Sequence, residues 1–177
     1  MLDTLISSKT RIKLLLKFFL NSKNTAYLRN LESEFGESTN AIRLELNKFE
    51  QRGFLSSEMQ GNKKVFRANT KHPYFSLIHN IVMKYTGIDN IIEYVVRKLG
   101  SVKKVYLIGK FSRGLDSDVI DIIMVGDIDK VFLISQIEKA EKMIDRKIRY
   151  LVYTEEEFQS VDLSVYNPEP LLLWSAV

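Results

Sequence analysis

The chain has 177 residues, 45% hydrophobic and 27% charged, enough apolar material for one large domain or two small ones and too much for a disordered segment. It has no cysteine, which excludes disulfides, thiolate metal sites and cysteine nucleophiles, and only two histidines, His72 and His79, which excludes a His-rich metal centre. The net charge of +4 is unevenly placed: residues 1–100 hold 16 Lys and Arg against 9 Asp and Glu, residues 101–177 hold 10 against 13, a split expected of two domains with different partners.

No apolar run reaches the roughly 18–20 residues that span a bilayer. Met1 is followed by Asp3 and the broken pattern TLISSKTR, which is not a secretory signal. A cytoplasmic protein without a membrane partner is expected.

Along the chain, Ser8 is placed to cap a helix whose apolar positions Ile12, Leu15, Leu16, Phe19 and Leu20 follow the i, i+3, i+4, i+7, i+8 spacing of one helical face. Lys9, Arg11 and Lys13 along it read as solvated charge. Residues 21–24 form a polar break. A shorter helix follows with Leu28, Leu31 and Phe35 inward and Gly36 at its end. Ser38 or Thr39 then caps a third helix that turns Ile42, Leu46 and Phe49 inward. After Gly53, strand-like runs at 54–59 and 64–68 flank Gly61-Asn62, a pair suited to a tight hairpin.

Three short helices followed by a basic-tipped hairpin is the order of a winged helix-turn-helix. The segment STNAIRLELNKFEQRGFL, residues 38–55, resembles the third helix and first wing strand of ArsR-like and MarR-like transcription regulators. A helix that enters the major groove keeps one apolar face and shows polar or basic side chains on the other. The outward arc here holds Asn40, Arg43, Leu44, Asn47 and Gln51, with Ser38 and Thr39 at its start. Asn and Gln match adenine edges and Arg matches guanine, while Leu44 is the odd member, facing a thymine methyl or a neighbouring element. Lys63 and Lys64 at the hairpin tip, with Arg67 beyond, are placed for phosphates. Double-stranded DNA is the expected partner of this half.

Residues 72–87 read HPYFSLIHNIVMKYTG, a helix with Leu77, Ile78, Ile81, Val82 and Tyr85 on one stripe and Pro73 in its first turn. A further helix from near Asp89 buries Ile91, Ile92, Val95, Val96 and Leu99. The stripe fits either a homodimer seam or packing against the second domain. His79 reads as a partly buried helix residue and not a ligand.

In the second half, a strand at 104–109, the loop KFSRGLDSD, a strand at 119–125, a helix with Leu133, Ile137, Ala140 and Ile144 inward, and a strand at 148–153 give an α+β unit with a small mixed sheet. Thr154 to Glu157 is a capping box. The pair of prolines at 168 and 170 breaks regular structure, and the following LLLWSAV packs on the sheet or engages a partner.

The stretch GKFSRGLDSDVIDIIMVGD, residues 109–127, resembles the signature of the minimal nucleotidyltransferase superfamily, and the winged helix, H-P linker helix and this domain together resemble a family of fused regulators. In active members a Gly-Ser pair grips nucleotide phosphate and a D-x-D pair holds divalent metals, so the resemblance implies a nucleotide-binding loop and a metal site. Gly109, Phe111, Ser112, Arg113 and Gly114 match, Lys110 replaces the family's Ser, and Asp121 matches the second Asp while Val119 stands at the first. Using Asp118 instead gives a D-x-x-D spacing, which needs a bulge to bring both carboxylates to one face. The later strand offers Arg149 and Leu151 in place of a third carboxylate.

The expectation is an α+β chain with a winged-helix DNA-binding domain at 1–70, linker or dimerisation helices at 71–100, and a nucleotidyltransferase-like domain at 101–177. Its function would be DNA-binding regulation, with catalysis and the metal lost and no cofactor. Gly109, Lys110, Ser112, Arg113 and Gly114 would remain to take a nucleotide or phosphate effector. The rival is a working metal-dependent nucleotidyltransferase with the winged helix as a docking module. A third reading is a protein-interaction module that does not use DNA.

Overall fold

In the computed structural model, which describes residues 2–176, the chain divides into two units, Met1–Tyr85 and Thr86–Val177. After the short α1 (Leu2–Leu5), Ser8 caps α2 (Lys9–Leu15), its hydroxyl accepting the Arg11 N–H at 3.2 Å. The helix continues as a wider π-helical segment, Leu16–Leu20. Ile12, Leu15, Leu16, Phe19 and Leu20 are buried as their spacing predicts, and Leu14 of α2 with Lys17 and Phe18 of the widened segment are buried as well. Buried Lys17 is neutralised by Glu34 at 2.6 Å.

The polar break at 21–24 is a turn whose ends, Asn21 and Asn24, are buried while its tip is exposed, and Asn24 donates its side-chain amide to the Lys17 carbonyl at 3.0 Å. It leads into β1 (Thr25–Tyr27), a strand too short to show an alternation in the sequence. The α3 helix (Leu28–Phe35) ends at Gly36, whose φ of 62° is the left-handed geometry glycine adopts freely. Ser38 caps α4 (Thr39–Gln51), accepting from the Ala41 N–H at 3.2 Å, and Thr39 is its first residue. The hairpin β2 (Leu55–Gln60) and β3 (Lys63–Ala68) turns over Gly61-Asn62, with positive φ at Gly61 only. The antiparallel sheet has the order β1-β3-β2, and its central strand β3 buries Val65, Phe66 and Ala68, giving the winged helix its wing.

Two readings of single charges need correction. Arg11 and Lys13 keep part of their side chains in solvent but are not free charges: Arg11 binds Glu45, and Lys13 donates to the Phe35 carbonyl and to Glu37, each at 2.7 Å. Pro73 lies in the turn before α5 (Phe75–Thr86), not in its first turn. The expected α5 stripe also divides: Val82 is buried, whereas Leu77 is 60% and Ile81 48% exposed, with Tyr74 beside them at 59%. His79 is partly buried and bonds the Phe19 carbonyl at 2.7 Å.

The second unit begins with a continuous helix in three parts, α6 (Ile88–Asn90), a π-helical Ile91–Val96 and α7 (Arg97–Leu99), that buries Ile88, Ile91, Val95 and Val96. Then follow β4 (Val102–Ile108), the single turn α8 (Gly109–Ser112), β5 (Val119–Gly126), α9 (Lys130–Ile144), β6 (Lys147–Tyr153), α10 (Glu155–Gln159), a 3-10 turn at Leu163–Val165 and β7 (Leu171–Ser175). The sheet order is β6-β5-β4-β7, with β5 and β6 parallel and the other pairs antiparallel. Central β5 is buried from Ile120 to Gly126, so its continuous apolar run is the signature of a strand covered on both faces. Thr154 and Glu157 form the reciprocal capping box, and LLLWSAV supplies the edge strand β7, pairing Trp174 with Val105. The chain is thus α+β, a winged helix followed by a unit built on a small mixed sheet. No helix among the described residues is long and apolar enough to cross a membrane.

Candidate functional site

The outward arc of α4 is as its periodicity predicts: Asn40, Arg43, Leu44, Asn47 and Gln51 are exposed, and Ile42, Leu46 and Phe49 are buried. Beside this arc, α4, the start of α3 and the hairpin enclose a concavity of ≈ 510 Å³. Arg43, Asn47, Lys63 and Lys64 meet there although 21 positions separate Arg43 from Lys64 in the chain. Arg29, from the first turn of α3, and Asn62, at the hairpin tip, join them. The lining holds four cations and no carboxylate, over an apolar floor that includes Leu46 and Phe66. A surface of that composition concentrates a positive field in a groove, which favours anionic ligands.

Arg29 and Asn62 are absent from the sequence-based set because α3 carries no signal that it borders the groove. A cation at the start of the second helix is recognisable only once β1 has brought Tyr27 and Arg29 beside the wing. The pairing of Tyr27 with Val65 does this, and Tyr27 then offers its ring to Lys63, whose ammonium stands 4.5 Å from the centroid.

The cations differ in what holds them. Arg43 donates a long hydrogen bond to Asn40, 3.4 Å, which aligns both on the helix surface. Lys64 pairs with Glu50 of α4 at 2.7 Å and so ties the wing to the helix. Lys64 first, and then the hydroxyl of Ser57, hold the Glu50 carboxyl below its usual range. Arg67 lies outside the concavity, in the central strand of the sheet, and is paired with Glu58 across the hairpin. Ser38, Thr39 and Asn40 also lie outside its lining, at the start of α4.

In the second unit the loop after β4 brings Gly109, Lys110, Ser112, Arg113 and Gly114 into one tight turn. Gly109 and Gly114 have φ of 70° and 71°, as the reversal requires. Ser112 is turned inward: it is buried, and its hydroxyl donates to the Gly109 carbonyl at 2.9 Å. Lys110 and Arg113 are exposed. Lys110 lines a shallow hollow of ≈ 480 Å³ with Asp116, Ser117, Asp118 and Val119, where Asp116 is paired with Arg146 at 2.8 Å.

Asp121 lies buried on β5 directly under Gly109; a Cβ on that glycine would come within 2.5 Å of Asp121 Oδ2. Across the parallel pair its register partner is Arg149, which donates from Nε to Asp121 Oδ1. This bond, and then the charge of Asp121, hold the Arg149 guanidinium above its ordinary range. The β5–β6 register is unbroken from Val119 to Val125, so no bulge in that stretch carries Asp118 onto the face of Asp121. No cluster of three metal-ligating side chains occurs among the described residues. One carboxylate already neutralised by a guanidinium does not fit a hard divalent cation, which needs several oxygen ligands.

No protein-family model matches the chain, and no curated protein matches it. Among solved structures, it is similar to AF1382 from Archaeoglobus fulgidus, with 20% identity and a TM-score of 0.38 over 52% of this chain and 98% of that one. Reduced HlyU from Vibrio cholerae has 13% identity and a TM-score of 0.37, over 47% and 82%. A Sulfolobus solfataricus protein assigned as a nucleotidyltransferase has 24% identity and a TM-score of 0.36, over 56% and 87%.

Proposed function

We propose that the chain is a sequence-specific regulator that binds double-stranded DNA through its first unit and acts as a homodimer. The observation that carries this is the concavity beside α4, where Arg29, Arg43, Lys63 and Lys64 converge with Asn47 and Asn62 and no carboxylate lines the surface. The exposed crest of α4 supplies side chains for base edges, and the wing and Arg29 supply charge for phosphates on either side. The exposed Tyr74, Leu77 and Ile81 are the place for a dimer seam, which would set the spacing of two half-sites.

The second unit serves regulation or assembly and does not transfer nucleotides. Arg149 on Asp121 supports this reading, because the guanidinium takes up the carboxylate that a metal would need. A nucleotide or phosphate effector would meet Lys110 and Arg113, with Gly109 and Gly114 shaping the turn. Ser112 would act only through the backbone, its hydroxyl being spent on Gly109.

The deciding experiment is fluorescence anisotropy with the duplex upstream of the protein's own gene against a scrambled duplex, at two salt concentrations. A preference of about 10³-fold that weakens with salt supports a specific regulator. Equal binding to both duplexes, or none, rejects it.

A further inference from the structure

Leu44 is the one large apolar side chain on the outward surface of α4, and it is 61% exposed. At about 100° per residue it stands roughly 200° around the helix from Ile42, which is fully buried, so α4 could not turn Leu44 into the core without exposing Ile42. Around it on the crest are Asn40, one turn before, and Asn47, three residues after, both exposed. The arrangement is an apolar tip set between two primary amides, next to the cationic concavity that contains Asn47.

The edges of base pairs in the major groove offer one apolar feature, the C5-methyl group of thymine, and an A·T pair shows it beside the adenine N6 and N7 that an amide reads. Resting on the DNA-binding reading above, we infer that Leu44 is a specificity-determining residue that contacts a thymine methyl, with Asn40 or Asn47 on a neighbouring adenine. Among the arc, Leu44 alone has no hydrogen-bonding group to compete with such a contact. Arg43, Asn47 and Gln51 distinguish bases through the hydrogen bonds of their polar ends, whereas the whole side chain of Leu44 is apolar.

The test removes the methyl alone. A tight-binding duplex is first selected from a random pool with the full chain, and each of its thymines is then replaced singly by deoxyuracil. Dissociation constants are measured for the wild type, Leu44→Ala and Leu44→Met. One or two thymines should be methyl-sensitive for the wild type, with binding weakened about 3–10-fold, the range expected for the contacts of one buried methyl group. Leu44→Ala should bind the thymine and uracil duplexes alike, at the wild type's uracil level, and Leu44→Met should keep the sensitivity. Circular dichroism should show the fold unchanged, since the side chain packs on little.

The inference is overturned if no thymine is methyl-sensitive, if the selected duplex has no thymine, or if Leu44→Ala keeps the wild-type sensitivity. Failure to select any duplex overturns the DNA-binding reading itself, and the role of Leu44 with it. If Leu44→Ala instead weakens thymine and uracil duplexes equally, the residue supports the helix and reads no base.

Discussion

Arg11 of α2 grips Glu45 on the inner side of α4 with two hydrogen bonds, Nε to Oε2 at 2.8 Å and Nη2 to Oε1 at 3.1 Å. Glu45 is buried on the helix face that holds Ile42 and Leu46, so the bidentate pair fixes the rotation of α4 and with it the direction of Arg43 and Asn47. Glu45→Ala should destabilise the first unit by about 1–2 kcal/mol, at the low end for such a pair because Arg11 is well solvated. Chemical denaturation followed by circular dichroism would register the loss. An unchanged midpoint would mean that apolar packing alone sets the helix.

The same pair makes the first unit sensitive to acid. Arg11 in the first place, and Lys48 after it, hold the Glu45 carboxyl below its ordinary value of 4.5, and Lys64 with Ser57 does the same for Glu50. A carboxyl whose value is lowered by folding binds fewer protons in the folded chain than in the unfolded one. Its contribution is therefore fully present above 4.5 and is lost as the pH falls through the lowered folded value. Stability should be level from pH 7 to about 5 and decline below it. Glu45→Gln should be less stable than the wild type at neutral pH, and the two denaturation curves should converge in acid.

The cations of the concavity should separate by role. Arg43→Ala should weaken binding to the preferred duplex by about 1–3 kcal/mol while leaving a scrambled duplex little affected. The double change Lys63→Ala, Lys64→Ala should weaken both duplexes alike and flatten the salt dependence. Of the two, Lys63→Ala should flatten it more, because Lys64 is engaged by Glu50 and Lys63 only rests on Tyr27. Arg29→Ala should behave like Lys63→Ala. Equal loss on both duplexes from Arg43→Ala would remove its base-reading role.

The elements that were legible in the sequence are those with long-range periodicity or a reciprocal local motif. Ile42, Leu46 and Phe49 fixed the inner face of α4, and Thr154 with Glu157 announced the start of α10. The hidden parts depend on distant partners. β1 is three residues long and exists through its pairing with β3, and Lys17 is an ordinary lysine until Glu34 stands beside it. Arg29 shows the same for the candidate interface: its membership follows from where the wing lies, not from any spacing around it. Arg149 was visible as the replacement for a carboxylate, but its bond to Asp121 needs the β5–β6 register.

Gly109 is the residue on which the loop of the second unit turns. Its φ is 70°, and an added Cβ would stand 2.5 Å from Asp121 Oδ2 and 3.2 Å from Cγ. Gly109→Ala should destabilise the second unit by about 2–3 kcal/mol, combining the left-handed backbone cost with displacement of a buried, bonded carboxylate. Trp174 is the only tryptophan and lies on β7 in the same sheet, so its emission during urea unfolding reports this loss directly. A wild-type midpoint would mean that Asp121 can swing aside at no cost.

The Asp121–Arg149 pair also separates the regulator from a working enzyme. Metal-dependent transfer of a nucleotide needs carboxylate oxygens free to bind the ion, and here the aligned carboxylate is occupied by a guanidinium while Val119 brings none. Incubation of the full chain with magnesium or manganese and labelled nucleoside triphosphates should give the same background incorporation for the wild type and Asp121→Asn. DNA affinity should be unchanged by Asp121→Asn, because the substituted residue lies in the second unit and keeps a hydrogen-bond acceptor for Arg149. Turnover in the wild type that Asp121→Asn abolishes would show that Arg149 yields to the metal. The chain would then be a nucleotidyltransferase whose winged helix docks a substrate.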